Sequence, residues 1–356
     1  MRVWLEALTP KQGRLMVALS NYMEKLGHET FITTRNYEYS VSTIKRLHKE
    51  PIIIGEHGGA DLSSKLKSYA KRVELLTNYV TEQQPDLFIG FSSPEGTRVA
   101  FGLSIPSINF NDTPHAVAVA KLAFPLSTQI VLPECISPSE FPLLEDNRER
   151  EKVVQYYGVD EVSWTKKFKP ETKTLDSIGI DYKNDTIMLV RPEEKKAAYY
   201  KPELRKKVKN VLINVLKKLK QNNNSLKVVV FPRYKDQEEA YRKLGDWVII
   251  PEQAIDTLSV MYYSQLVITG GGTLSREGAL LGTPSITFFP RPLKVNQFLA
   301  ELGFPVYHAI DAEHLYSMAL KLFGKKTDVQ QLISQLQSPE EGLQKALDKM
   351  KEKNII

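Results

Sequence analysis

Gly270-Gly271-Gly272, followed by Thr273 and Glu277, is the arrangement in this chain best suited to holding an anion. Three residues without a Cβ let the backbone turn tightly and present its N–H groups. The apolar run 266–269 before them reads as a strand buried on both faces. Residues 273–281 read as a short helix with Thr273 as its N-cap. Unpaired N–H groups and the positive end of the helix dipole then converge on one spot. Glu277 lies one turn into that helix, within reach of hydroxyls on whatever carries the anionic group. Arg191 and Arg233, each just past an expected strand end, are placed to add charge-assisted hydrogen bonds, or else to pair with Glu193 and Asp236 nearby.

A second set of residue types suits proton transfer. The stretch Phe110-Asn111-Asp112-Thr113-Pro114-His115 puts an acid, an amide and an imidazole into one short loop after an expected strand. His115 titrates near neutrality if unperturbed, so it and Asp112 are candidate bases. Asp112 fits a helix N-cap equally well. Glu6, at the end of the first expected strand, is a third candidate. The loop Gly55-Glu56-His57-Gly58-Gly59 reads either as a plain connection or as an acceptor-side loop, because ligand-facing residues of open α/β sheets gather at the carboxyl ends of strands.

These residues need strands to carry them. The chain alternates short apolar runs with amphipathic stretches in both halves, which predicts an α/β protein of two doubly wound domains. Residues 15–26 have apolar positions at helical spacing, and residues 202–219 carry Leu204, Val208, Leu212, Val215, Leu216 and Leu219 on one face. The lysines opposite, among them Lys206, Lys207 and Lys209, read as a solvated face, since no aromatic residues interleave them as single-strand nucleic-acid binding would need. The polar, proline-interrupted stretch 136–185 contains the expected connection. We expect domains at 1–165 and 186–325, a connection at 166–185, and a helical tail at 326–356.

The string GGGTLSREGALLGTPSI, preceded by Pro251-Glu252-Gln253-Ala254, resembles the diphosphate-binding motif of GT-B glycosyltransferases and the related UDP-N-acetylglucosamine 2-epimerases. It is most similar to a largely archaeal family of unknown function in that superfamily. The resemblance implies a GT-B fold, with two Rossmann-like domains facing each other across a cleft and the tail returning to the first domain. It implies a nucleotide-diphosphate sugar, with UDP as the expected nucleotide, whose diphosphate lies on the glycine turn and whose ribose bonds Glu277. Asn296 and Gln297 stand where superfamily members hold the transferred sugar. A metal-independent glycosyltransferase with no required cofactor is the leading expectation, its acceptor a sugar, lipid or protein glycan. A 2-epimerase is the alternative, although Val190-Arg191-Pro192-Glu193 lacks the histidine that epimerases carry there. A non-catalytic nucleotide- or nucleic-acid-binding protein is the third reading.

Composition sets outer bounds. The chain has 356 residues, 42% hydrophobic and 25% charged, with no apolar run near the roughly 20 residues of a membrane helix. Its opening reads directly as a strand, without an h-region or cleavage site, so we expect no signal peptide and a cytoplasmic protein. The single cysteine, Cys135, excludes an intrachain disulfide and any multi-cysteine metal site. No acidic pair suited to Mg²⁺ stands out. A net charge of +6 permits an anionic ligand or peripheral contact with an acidic membrane surface without selecting either.

Overall fold

The computed structural model describes every residue except Glu38, Ala60, 195–210 and the Val211 side chain. The chain divides into two compact units, Met1–Trp164 with Leu336–Ile356, and Thr165–Gln335.

The first unit carries seven strands: β1 (Arg2–Ala7), β2 (Glu29–Asn36), β3 (Ile52–Glu56), β4 (Leu87–Gly90), β5 (Ser107–Phe110), β6 (Gln129–Pro133) and β7 (Val153–Tyr156). All pair in parallel, in the order β3-β2-β1-β4-β5-β6-β7. Parallel pairing needs helical crossovers, which cover both faces and explain why β1, β4 and β6 read as continuous apolar runs. On one face Val3, Leu5 and Ile89 pack with Leu15, Leu19 and Met23 of helix Pro10–Lys25 and with Leu343, Leu347 and Met350 of helix Pro339–Glu352. On the other, Trp4 and Phe88 pack against Leu76 and Val80 of helix Leu62–Gln83 and Val99 of helix Pro94–Gly102.

The second unit carries β8 (Thr186–Arg191), β9 (Leu226–Val230), β10 (Val248–Ile249), β11 (Leu266–Thr269), β12 (Ser285–Thr287) and β13 (Val306–His308), in the order β10-β9-β8-β11-β12-β13. Both orders reverse direction once, beside β1 and beside β8. In doubly wound sheets ligands bind outside the carboxyl ends of the strands at that switch. The glycine turn leaves β11 at this point, and Glu6 lies on β1 at the corresponding point of the first unit.

Some elements depart from expectation. β7 lies inside the stretch read as irregular; only alternate residues of it are fully buried, so its apolar signal is weak. The tail is two helices, Gln330–Ser334 and Pro339–Glu352. Pro339 cannot continue a helix but fits the first turn of a new one, and Ser338 with Glu341 closes a capping box there. Of the long basic stretch, helix Val211–Asn222 is observed, whereas Leu204, Lys206, Lys207, Val208 and Lys209 lie outside the described residues. No helix among the described residues is long and apolar enough to cross a membrane.

Candidate functional site

The second unit builds its site on the glycine turn. The Gly270 N–H bonds the Arg191 carbonyl at 2.8 Å, which extends the β8–β11 pairing by one step. The Gly271 N–H bonds Thr269 Oγ1 at 3.1 Å, and Thr287 Oγ1 donates to the Gly271 carbonyl at 3.0 Å. The helix Thr273–Leu280 begins one residue earlier than expected: Gly272, already in the helical region, is the cap residue and Thr273 is the first helical one. Without a side-chain cap, the N–H groups of Gly272, Thr273, Leu274 and Ser275 find no acceptor among the described residues. They surround a spot where the helix dipole favours negative charge.

Cations flank this spot. Arg233 Nη2 lies 4.0 Å from where a Cβ on Gly271 would stand, and its Nη1 is 3.3 Å from Glu194. Besides the pairing with Asp236 weighed above, Glu194 is thus a carboxylate partner of Arg233. Gln237 accepts from the Arg233 N–H and donates to the Glu193 carbonyl, which ties the ends of β8 and β9 together. Arg191 donates to the Phe231 carbonyl at 2.9 Å, so part of its guanidinium holds the β8–β9 edge.

Arg276 was not foreseen. Its Nη1 stands 2.6 Å from the Cβ position of Gly272 and donates to Asn296 Oδ1 at 3.2 Å, while Asn296 Nδ2 donates to Ser275 Oγ. Asn296 is thus buried and positions an arginine under the turn, whereas Gln297 on the next position of helix Lys294–Glu301 is exposed. An arginine beside Glu277 in a helix whose other residues are small or apolar is the sequence signal that would have found it. Glu277 follows it, only 2% exposed.

The first unit gathers a separate cluster at the carboxyl edge of its sheet. Lys11, in the first turn of helix Pro10–Lys25, bridges Asp112 Oδ2 at 2.5 Å and Asp160 Oδ2 at 2.6 Å, and lies 4.6 Å from the Phe91 ring centre. Thr113 Oγ1 donates to the other Asp112 oxygen, and the Tyr156 hydroxyl donates to Asp160 Oδ1. Burial pushes the Asp160 carboxyl above its ordinary range, with Lys11 opposing and Asp112 adding to the rise. Burial, then the charge of Asp160, raises the Tyr156 phenol well above its usual value. Asp112 does not cap a helix, because helix Val117–Ala123 starts after Ala116 with no side-chain cap. His115 is half-buried in the turn between the two. A lysine in a helix's first turn opposes the dipole, and that mismatch at Lys11 was the legible hint.

Glu6 lies outside this cluster. It is fully buried, with Oε1 2.5 Å from Arg72 Nη1, and Arg72 Nε donates to the Ile54 carbonyl. Next to it, burial and then the Glu6 charge raise the Glu95 carboxyl. The folded state therefore binds a proton at Glu95 more tightly than the unfolded chain does, so stability falls as pH rises from the unfolded carboxylate value, about 4.3, through the raised one. A Glu95→Gln variant cannot ionise and is expected to melt above the parent at pH 7, with the difference vanishing near pH 4; melting curves at both pH values check this.

Among the described residues no three His, Cys, Asp or Glu side chains gather closely enough to hold a metal ion. Two Rossmann-like parallel sheets, the second with a glycine turn at its switch point, define the GT-B fold. Solved structures of that fold match the whole length: the Staphylococcus aureus MnaA–UDP structure at a TM-score of 0.72 and 14% identity, covering 100% of this chain and 97% of the other. The UDP-GlcNAc 2-epimerase of Methanocaldococcus jannaschii in complex with UDP-GlcNAc and UDP matches at 0.69 and 14%, over 92% and 94%. The spinosyn rhamnosyltransferase SpnG matches at 0.59 and 13%, over 98% and 100%. The chain itself belongs to the family described as protein of unknown function (DUF354), which matches residues 1–348. An uncharacterized protein of Methanocaldococcus jannaschii is 32% identical over 336 residues, 93% of this chain and 94% of that one.

Proposed function

We propose that the protein is a metal-independent glycosyltransferase using a nucleotide-diphosphate sugar, with UDP as the nucleotide. The observation that carries this reading is the glycine turn at the switch point, where four N–H groups meet the guanidinium groups of Arg233 and Arg276. Such preorganised donors offset charge developing on a leaving diphosphate without a metal ion. Glu277, one turn into the helix, is assigned to the ribose hydroxyls, and Asn296 acts through Arg276. Arg191 holds the strand edge and adds charge beside the diphosphate, and Gln297 remains assigned to the sugar.

Asp112, held by Lys11 and Thr113, is the group we assign as base toward an acceptor hydroxyl, with His115 in the same turn as its partner in proton transfer. Glu6 is a positioning residue for Arg72 in this scheme.

Thermal shift with UDP tests the donor site: a ligand present at 100 times its Kd stabilises by about 2.7 kcal/mol. UDP is expected to raise the melting temperature, and Arg233→Ala to weaken that binding by roughly 10- to 100-fold, the loss of one charge-assisted contact. No stabilisation by UDP-, GDP- or dTDP-sugars would sink the proposal. The higher backbone likeness to structures described as 2-epimerases, 0.69 and 0.66 against 0.59, motivates epimerisation as a second reading. NMR of UDP-N-acetylglucosamine incubated with the protein separates the two, since only an epimerase yields the second epimer's signals without an acceptor.

A further inference from the structure

Arg35 has no role in the donor site or in the Lys11 cluster, and its surroundings are unusual. It sits next to the end of β2, where the register with β3 shifts between Thr34 and Asn36. A bulge there breaks the strand's alternation and re-aims the side chain, a device that recurs beside ligand sites. Arg35 Nε is buried and has no hydrogen-bond partner among the described residues. The nearest carboxylate oxygen among the described residues, Glu95 Oε1, is 4.0 Å from Nη1, beyond hydrogen-bond reach. Arg72, the other buried guanidinium nearby, is already matched by Glu6 at 2.5 Å.

A largely buried guanidinium whose Nε has no hydrogen-bond partner among the described residues is costly, and burial penalises the charged form of Arg35. Glu95, 4.0 Å away, offsets that charge only in part. Arg35 also lies 5.2 Å from the Tyr37 ring centre, and Tyr37 stacks on His57 with centroids 4.3 Å apart. Both rings stand just past the carboxyl ends of neighbouring strands β2 and β3. A planar cation with donors to spare beside an aromatic wall fits a sugar bearing an oxyanion.

We propose that Arg35, Tyr37 and His57 form an acceptor subsite for a sugar carrying a carboxylate or a phosphate, with Arg35 gripping the oxyanion. This deepens the glycosyltransferase reading and rests on it for the word acceptor.

Calorimetric titration of the full chain with glucuronate, glucose 6-phosphate and glucose tests the subsite. At least one anionic sugar is expected to bind 10-fold or more tighter than glucose, and the tighter of the two names the carboxylate or the phosphate. Arg35→Gln is expected to weaken that binding by at least 10-fold. Arg35→Lys, which keeps the charge but loses the planar fork, is expected to fall between the two. Equal binding of glucose, no binding of either anionic sugar, or unchanged affinity in both variants would overturn the proposal. The UDP thermal shift is read on the same samples. If UDP fails to stabilise the parent while the anionic sugar still depends on Arg35, the donor reading falls and the oxyanion site stands. If Arg35→Gln misfolds and Arg35→Lys binds like the parent, the oxyanion site falls.

Discussion

Gly270→Ala is expected to destabilise the free protein by about 3 kcal/mol, whereas Gly271→Ala, one residue on, is expected to change stability by less than about 0.5 kcal/mol. A Cβ on Gly270 would stand 2.5 Å from Glu193 Cα and 2.7 Å from its nitrogen. Both are backbone atoms at the end of β8, so no side chain can swing aside, and relief requires parting β8 from β11. A Cβ on Gly271 meets nothing nearer than 4.0 Å. The space it would fill is the space beside Arg233 that we assign to the diphosphate. The two variants therefore separate architecture from binding. Urea unfolding should report the loss at Gly270 alone, and UDP titration should report a loss for Gly271→Ala in a fully folded protein. A Gly271→Ala variant that binds UDP like the parent would remove the turn from the donor site.

Arg72→Met is expected to cost about 3–5 kcal/mol, because it leaves Glu6 charged, fully buried and without its cation. Methionine keeps much of the stem's volume, so the loss reports charge more than packing. The double variant Arg72→Met with Glu6→Gln removes the stranded charge as well and should recover a large part of it. A double-mutant cycle by chemical denaturation measures the coupling. Additive losses would show that the pair is not acting as a unit. If instead Glu6→Gln alone abolished transfer while leaving stability intact, Glu6 would return to the list of bases.

The elements that the sequence made legible share a cause. β1, β8 and β11 are buried on both faces, so their apolar runs are continuous and need no partner to be recognised. Gly270 to Thr273 announced a turn because glycine alone permits the close approach to Glu193. By contrast, β7 is half-buried, and its place in the sheet depends on helix Pro339–Glu352, which is remote in sequence and covers it with Leu343 and Leu347. Arg276 and Lys11 left only a faint local sign and Asp160 none, for a related reason: each takes its meaning from a partner at least 20 residues away, Asn296 for the first and Asp112 for the other two through Lys11.

By itself the sequence determined the periodic and local features: an α/β chain with two doubly wound halves, and a glycine turn between a buried strand and a helix. Hydrophobic period and Cβ-free geometry are written in neighbouring residues. The tertiary structure alone decided which charges are spent and which remain. It put Glu6 against Arg72, Lys11 between two carboxylates, and Arg35 where Glu95 stays out of hydrogen-bond reach. Electrostatic pairing depends on distance and burial in three dimensions, and parallel crossovers bring together strand ends that are far apart along the chain.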